Sequence, residues 1–234
     1  MITVADGSAL VTLGNTTVLA GAKLEVGLPA EGGPPDQGRL VVAVEAPALC
    51  HPDIRPGPPP ELALLATHHV SEALRAADAL DLTSLCIAPG KAVWVLYLDI
   101  SILDADGGEA DAALAAALAA LRDVRTPRVD LDDEGNVVLA KGDANSPGAA
   151  PGRLRIRGWP SSVTCGLFRG QVLVDLTRDE ERVVDSLVSC CVDEGGRVLR
   201  VFKPGGRQDL DRVSLAAAVH LAAQRAREER AQNP

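Results

Sequence analysis

A chain of 234 residues, 47% of them hydrophobic, has enough apolar material for one large domain or two small ones. Its formal charge of −9 argues against a free-standing nucleic-acid binder, which gains affinity by setting clustered Lys and Arg against phosphates. Aromatics at 2% argue against base-stacking platforms and leave the core to Ala, Val and Leu, with Trp94, Trp159, Phe168 and Phe202 as isolated large fillers.

In chain order, residues 9–13, a Gly14-Asn15 turn, 16–26 and, after a Pro- and Gly-rich loop, 39–44 read as strands, a pattern that predicts a twisted β-meander. Pro58-Pro59-Pro60 marks the start of a helix in which Leu62, Leu65, Ala66, His69, Val70, Ala73 and Leu74 recur on one face. Residues 92–103 form a long run without helical polarity, rich in β-branched and aromatic residues, which predicts a central strand buried on both faces. Asp104-Ala105-Asp106-Gly107-Gly108 turns it into a helix at 109–122, so dominated by Ala and Leu that it must pack closely on a sheet.

The small, polar, Pro- and Gly-rich stretch at 141–152 has the composition of a linker. The expected organisation is therefore a first half at 1–126, a hairpin and linker at 127–152, and a second half at 153–234. The second half repeats the order of strands then helix, with strands at 153–157, 163–168, 172–175, 186–192 and 197–202 and a helix over 209–232. The fold class this predicts is α+β, with mixed sheets packed against helices. Two such halves suggest an internal duplication, although no residue-level repeat accompanies it.

Cys50, Cys86, Cys165, Cys190 and Cys191 are odd in number and lack CxxC spacing, as expected of reduced core thiols in an intracellular protein. The vicinal pair Cys190-Cys191 points to opposite faces of its strand. No signal peptide opens the chain, and no apolar run approaches the roughly 20 residues of a membrane span, so a soluble protein without a membrane partner is expected.

A helix N-terminus after a Gly-rich turn is a natural phosphate site, because free N–H groups and the positive dipole end converge there. Gly107-Gly108 supplies that geometry, but Glu109, Ala110 and Asp111 follow with two carboxylates and no cation, so an anion is expected to be repelled. The same acids also serve simply to stabilise a first turn. The acidic cluster Asp175, Asp179, Glu180, Glu181 and Asp185 suits holding a magnesium ion or acid/base work, and a solvated turn after a strand explains it as well, since nothing nearby supplies a nucleophile or a fixed ligand set. His69 lies on the apolar face of its helix, His68 points elsewhere, and His51 and His220 stand alone, so no metal-ligand spacing is present. Lys203-Pro204-Gly205-Gly206 reads as a plain connection or as a turn that brings Lys203 to a phosphate. Arg153, Arg155 and Arg157 alternate with Leu154 and Ile156, which sets three cations on one face of a strand, available to RNA or to an acidic neighbouring subunit.

Three stretches carry a family resemblance: ADGSALVTLGNTTV at 5–18, CIAPGKAVWVLY at 86–97 running on to Asp104-Ala105-Asp106-Gly107, and Lys203-Pro204-Gly205-Gly206 before the last helix. Through them nearly the whole chain resembles the RNase PH family, the second and third stretches pointing to its non-catalytic exosome branch. The resemblance implies an RNase PH-type fold and a structural subunit of the RNA exosome ring, without cofactor or metal, supporting 3'-to-5' RNA processing and degradation, including ribosomal RNA maturation. It implies as partners other RNase PH-like ring subunits, an RNA-binding cap subunit, a hydrolytic exosome nuclease and RNA threaded through the ring, in nucleus, nucleolus and cytoplasm.

In phosphorolytic members, a Thr-Arg pair after the long strand binds the attacking phosphate, and those positions correspond to Glu109 and Ala110 here. Asp175 and Asp185 fall close to the family's Asp pair and read as vestigial. The family usually has several tens of residues before the first motif, whereas this chain starts almost at it. The rival expectation is an active phosphorolytic exoribonuclease in which another cation, such as Arg122 or Arg55, replaces the missing arginine. Arg55, Arg153, Arg155 and Arg157 are the candidates for RNA contact.

Overall fold

The computed structural model describes residues 2–127, 129–131, 137–139 and 152–232. β1 (Gly7–Leu13) and β2 (Thr16–Gly27) form an antiparallel hairpin closed by Gly14-Asn15, with Leu13 opposite Thr16. After β3 (Arg39–Glu45), α1 (Glu61–Ala76) and a 3-10 turn at Leu82–Leu85 come β4 (Cys86–Ala88), β5 (Ala92–Asp104) and α2 (Glu109–Asp123). The strands form one sheet in the order β1-β2-β5-β3, with β4 also paired to β5.

This order corrects the expected meander. β3 does not pair with β2; it runs parallel to β5, with α1 in the connection between them. A parallel pair requires a crossover of a dozen or more residues, and α1 provides it. The central strand also differs from expectation along its length. Residues from Ala92 to Leu96 are all buried, but beyond them Leu98, Ile100 and Ile102 are buried while Asp99 and Leu103 are exposed. α1 and α2 cover one face of this sheet, and the other is partly open at that end, with Ile2 of the N-terminal segment close to Gly21.

The Ala-rich helix packs as its composition demands. Ala112, Ala113, Ala116, Ala117 and Ala120 of α2 are fully buried against β1, β2 and α1. The approach is closest at Gly7, where an added Cβ would stand 2.6 Å from the Ala120 carbonyl oxygen and 2.7 Å from the Val124 nitrogen.

β6 (Arg125–Thr126) pairs with β9 (Gly152–Arg153), and β7 (Val129–Leu131) with β8 (Val137–Leu139), the hairpin expected before the linker. Residues 140–151 of that linker lie outside the described residues. The strand expected over 153–157 is corrected: it contributes only Arg153 to β9 and a single bridge from Ile156 to Leu80. Its alternation holds nonetheless, because Leu154 and Ile156 pack on the core while Arg153, Arg155 and Arg157 stay exposed.

The second sheet contains β10 (Ser161–Phe168), β11 (Gln171–Val174), β12 (Ser186–Val192) and β13 (Val198–Phe202) in the antiparallel order β11-β10-β12-β13. A single turn of helix, α3 (Arg178–Glu181), precedes β12, and α4 (Arg212–Gln232) closes the chain. α4 begins later than expected because Asp211 acts as its cap, accepting a bond from the Ser214 amide at 2.9 Å. Ala218, Ala222 and Ala226 of α4 share a core with Cys165, Cys190 and Val192, while Cys191 belongs to the core of the first sheet. The cysteines are free thiols, and burial pushes Cys165 and Cys191 up to about 12 and Cys190 up to about 11, so they pack rather than react. Among the described residues no helix is long and apolar enough to cross a membrane.

Gly7→Ala is expected to destabilise the chain by about 1–3 kcal/mol, because the obstructing atoms are backbone of α2 and its end and cannot rotate away. Urea denaturation followed by circular dichroism measures it.

Candidate functional site

The turn between β5 and α2 is held from the first hairpin. The buried Thr16 hydroxyl donates to the Gly107 carbonyl at 2.7 Å and accepts from the Asp106 amide at 2.9 Å, and the Asn15 side chain donates to the Asp106 carboxylate at 2.8 Å. Gly107 (φ +95°) and Gly108 (φ +63°) then turn the chain into the helix through left-handed conformations. A Cβ on Gly107 would lie 2.1 Å from the Leu176 carbonyl oxygen, so this backbone meets that of the second half directly.

Three carboxylates complete the junction. Glu109, 3% exposed, is paired with Arg178 of α3 at 2.8 Å. Asp111 accepts from the Ser162 hydroxyl and, at 2.6 Å, from the Thr164 amide, both on β10. Glu181 of α3 accepts from the Gly108 amide at 3.1 Å. The expectation that Glu109 and Asp111 merely settle their own first turn is thus revised: each reaches into the second half, and the anion at the helix end is Glu181. Burial raises the Glu181 carboxyl to about 7.

His69 sits behind Asp111, 4.0 Å from it, with Nε2 3.1 Å from the Ser162 oxygen. The single proton of Ser162 goes to Asp111, so His69 must donate through Nε2, which leaves Nδ1 as a buried acceptor without a partner among the described residues. Burial lowers the His69 pKa and keeps the ring neutral. Serine, histidine and aspartate are therefore together, but with serine in the middle, its proton directed to the carboxylate. That order cannot activate a nucleophile.

In front of this junction lies a cleft of about 610 Å³ bounded by β1, the start of α2, β10, the segment after β11 and α4. Among the described residues its lining carries Asp106, Asp111, Asp175, Glu181, Glu228 and Glu229 against one cation, Arg225, itself paired with Glu229 at 2.8 Å. Such a cleft repels phosphate.

The other expected residues are dispersed. Asp175 lines the cleft in a left-handed conformation (φ +57°), whereas Asp185 accepts from the Arg169 amide at the β10–β11 turn and does not line it. Glu180 closes a capping box with Thr177, and Asp179 is exposed beside Arg182. Arg55 is exposed on the loop before α1; Arg153 and Arg155 are exposed; Arg157 is paired with Asp81 at 2.8 Å and Asp78 at 3.4 Å. None of these arginines lines the cleft. Lys203 donates to the Gly205 carbonyl at 2.7 Å, so the KPGG stretch is a connection. No group of His, Cys, Asp or Glu among the described residues is arranged to hold a metal ion. Arg178, Ser162 and Thr164 went unread in the sequence, because an ion pair or hydrogen bond across fifty or more residues leaves no local pattern.

Two α+β halves, each a sheet with its own helical cover, meet at the glycine turn between β5 and α2. Residues 1–127 match the 3' exoribonuclease family, domain 1, of RNase PH type, and residues 158–225 match domain 2 of the same family. The chain belongs to the RNase PH family. It is 38% identical over 201 residues to the exosome complex component Rrp42 of Aeropyrum pernix, covering 86% of this chain and 70% of that protein. With the Rrp42 of Methanopyrus kandleri it shares 36% over 230 residues, covering 98% and 82%. Among solved structures, a chain of the Archaeoglobus fulgidus exosome with RNA bound to the active site superposes with a TM-score of 0.85 at 32% identity, covering all of this chain and 85% of that one. Rice Rrp46, at 16% identity and a TM-score of 0.65, shares the fold. The motifs taken alone point to the eukaryotic ring subunit called ribosomal RNA-processing protein 43; the relatives named here are archaeal Rrp42 proteins.

Asp111→Ala is expected to cost about 3 kcal/mol, because it strands the Thr164 amide and removes hydrogen bonds to a charged acceptor; Asp111→Asn costs less. Chemical denaturation of the two variants side by side measures the difference.

Proposed function

We propose that this chain is a non-catalytic, architectural subunit of an RNA exosome ring, assembling with other RNase PH-like subunits around a threaded RNA. The observation that carries the reading is the occupation of the helix N-terminus by the chain's own Glu181, with Glu109 standing where a phosphate ligand is expected and already committed to Arg178. Phosphorolysis depends on inorganic phosphate held for in-line attack, and at this junction the cation, Arg178, is already paired with Glu109 and the Gly108 amide with Glu181. The acidic cleft in front of it supports the same conclusion. In this reading Asp175 and Asp185 are remnants, and the degradation that the ring supports, ribosomal RNA maturation included, is performed by a hydrolytic nuclease fed through the ring, with an RNA-binding cap subunit at its entry. Arg55, Arg153 and Arg155, exposed and away from the cleft, are the side chains we assign to passing RNA. The free thiols fit an intracellular compartment, which we take to be nucleus, nucleolus and cytoplasm.

The partly open outer face of the first sheet supports assembly. Leu10 is 61% exposed, and Leu103 is exposed as well. Apolar patches of this kind are covered by neighbours in a stable oligomer.

Incubating the full chain with inorganic phosphate, magnesium and an end-labelled RNA is expected to release no nucleoside diphosphates; their release by this chain alone would establish the phosphorolytic enzyme instead. Affinity purification followed by mass spectrometry is expected to recover the other ring subunits. Leu10→Glu is expected to abolish that recovery while moving stability by no more than about 0.5 kcal/mol, since the side chain is exposed in the isolated subunit.

A further inference from the structure

The short ladder between β6 and β9 sets two cations against each other. Arg125 and Arg153 are directly opposed in it, and both are exposed. Opposed residues of an antiparallel pair project on the same face with Cβ atoms about 5 Å apart, and like charges so placed repel. Nothing within the chain answers that repulsion: among the described residues no carboxylate pairs with Arg125, Arg153 or Arg155. The neighbouring acids are committed elsewhere, Asp123 to the Ser8 amide at 3.2 Å, Asp6 to the Leu24 amide at 2.7 Å, and Asp78 and Asp81 to Arg157 at 3.4 and 2.8 Å. Both strands are also tied down. The Arg125 amide donates to the Asp6 carbonyl at 3.2 Å, the Arg155 carbonyl accepts from the Asp81 amide at 3.2 Å, the Arg157 amide donates to the Ala79 carbonyl at 2.9 Å, and Leu154 and Ile156 pack on the core. The fold therefore holds the two charges together against their own repulsion.

We infer that Arg125 and Arg153 together grip one phosphate group of a single-stranded RNA backbone, with Arg155, two residues along and on the same side as Arg153, placed for the next phosphate. The inference rests on the RNA role proposed above for Arg153 and Arg155, and it adds Arg125 as the partner that makes a site of them. An anion between the two guanidinium groups turns their repulsion into two charge-assisted pairs. The surroundings favour RNA over an acidic segment of protein. A protein interface has an apolar or aromatic centre, whereas no large hydrophobic side chain among the described residues from 104 to 172 is exposed. Thr126 and Gly152, the other opposed pair of the ladder, offer no ring for a base to stack on, so the grip takes the backbone and is indifferent to base sequence. None of the three arginines lines the acidic cleft, so RNA held here stays clear of the junction that repels phosphate.

The test is NMR of the arginine Nε–H groups in the full chain at low salt, titrated in separate arms with an oligouridine RNA of about eight nucleotides, with inorganic phosphate, and with a glutamate peptide of equal charge. The signals of Arg125 and Arg153 are expected to shift together with the RNA and less with inorganic phosphate. Arg125→Ala is expected to weaken RNA binding about tenfold, the loss of one charge-assisted hydrogen bond, and to diminish the Arg153 shift. The same variant is expected to flatten the log–log dependence of binding on salt by about 0.7 and to raise the urea midpoint of the free protein, where a purely structural arginine would lower it. No shift at Arg125 and Arg153 with RNA, an unchanged Arg153 response in Arg125→Ala, or a response to the glutamate peptide as strong as that to RNA overturns the grip. A response at Arg55 or Arg155 without one at Arg125 overturns the grip alone and leaves the RNA role standing. Failure to recover ring subunits in the purification, with the titration as expected, removes the ring assignment and supports the grip independently of it.

Discussion

The Glu109–Arg178 ion pair is the interaction on which the arrangement of the two halves turns. Its acid is 3% exposed and its guanidinium side chain 18%, at a separation of 2.8 Å. Charges so far out of water are tolerable only when each answers the other, and removing one strands the other at a cost of about 3–5 kcal/mol. The pair therefore fixes α3 relative to α2, and everything nearby is built around that fixed distance. Gly107 presses its backbone onto Leu176, Asp111 reaches β10, and Glu181 lands on the Gly108 amide. Side-chain links cross the junction in both directions, from the first half outward and from the second half back.

A helix N-terminus at a glycine turn attracts anions for general reasons, and this chain supplies its own. The family to which the chain belongs includes 3' exoribonucleases, and the same turn that suits phosphate chemistry serves here as a joint between two sheets. The change needs few residues. A carboxylate at position 109 and a basic partner at position 178 close the turn with an ion pair, and the Gly108 amide is taken by Glu181. In the architectural role proposed above, structural coherence and the lack of phosphate chemistry share one physical cause.

Much of the fold was legible in the sequence because it is written in short-range pattern. The β1–β2 hairpin, the Ala-rich α2 and the long β5 follow from alternation, helical spacing and turn residues. The errors came where pattern says nothing about pairing. β3 alternates like a hairpin strand, yet pairs across the crossover made by α1. Residues 153–157 alternate like a strand because one side packs on the core, although their backbone finds only a single bridge to residue 80. Of the site, the repulsion of anions at 109–111 could be read directly from composition, but the partners of those acids could not. Arg178, Ser162 and Thr164 lie fifty to seventy residues away, and Glu181 looked like one more solvated acid in a run of them.

β12 shows what a two-core molecule asks of a single strand. Cys190 packs beneath α4 and Cys191 packs into the core of the first sheet, so adjacent residues on one strand serve different interiors. β12 is a party wall. A slip of one residue along it would exchange the two sides at once, putting into each core a side chain fitted to the other. An ordinary strand with one wet face has its register policed from one side, whereas this one is policed from both. The strand thereby adds its own constraint on alignment to the side-chain links that cross the junction.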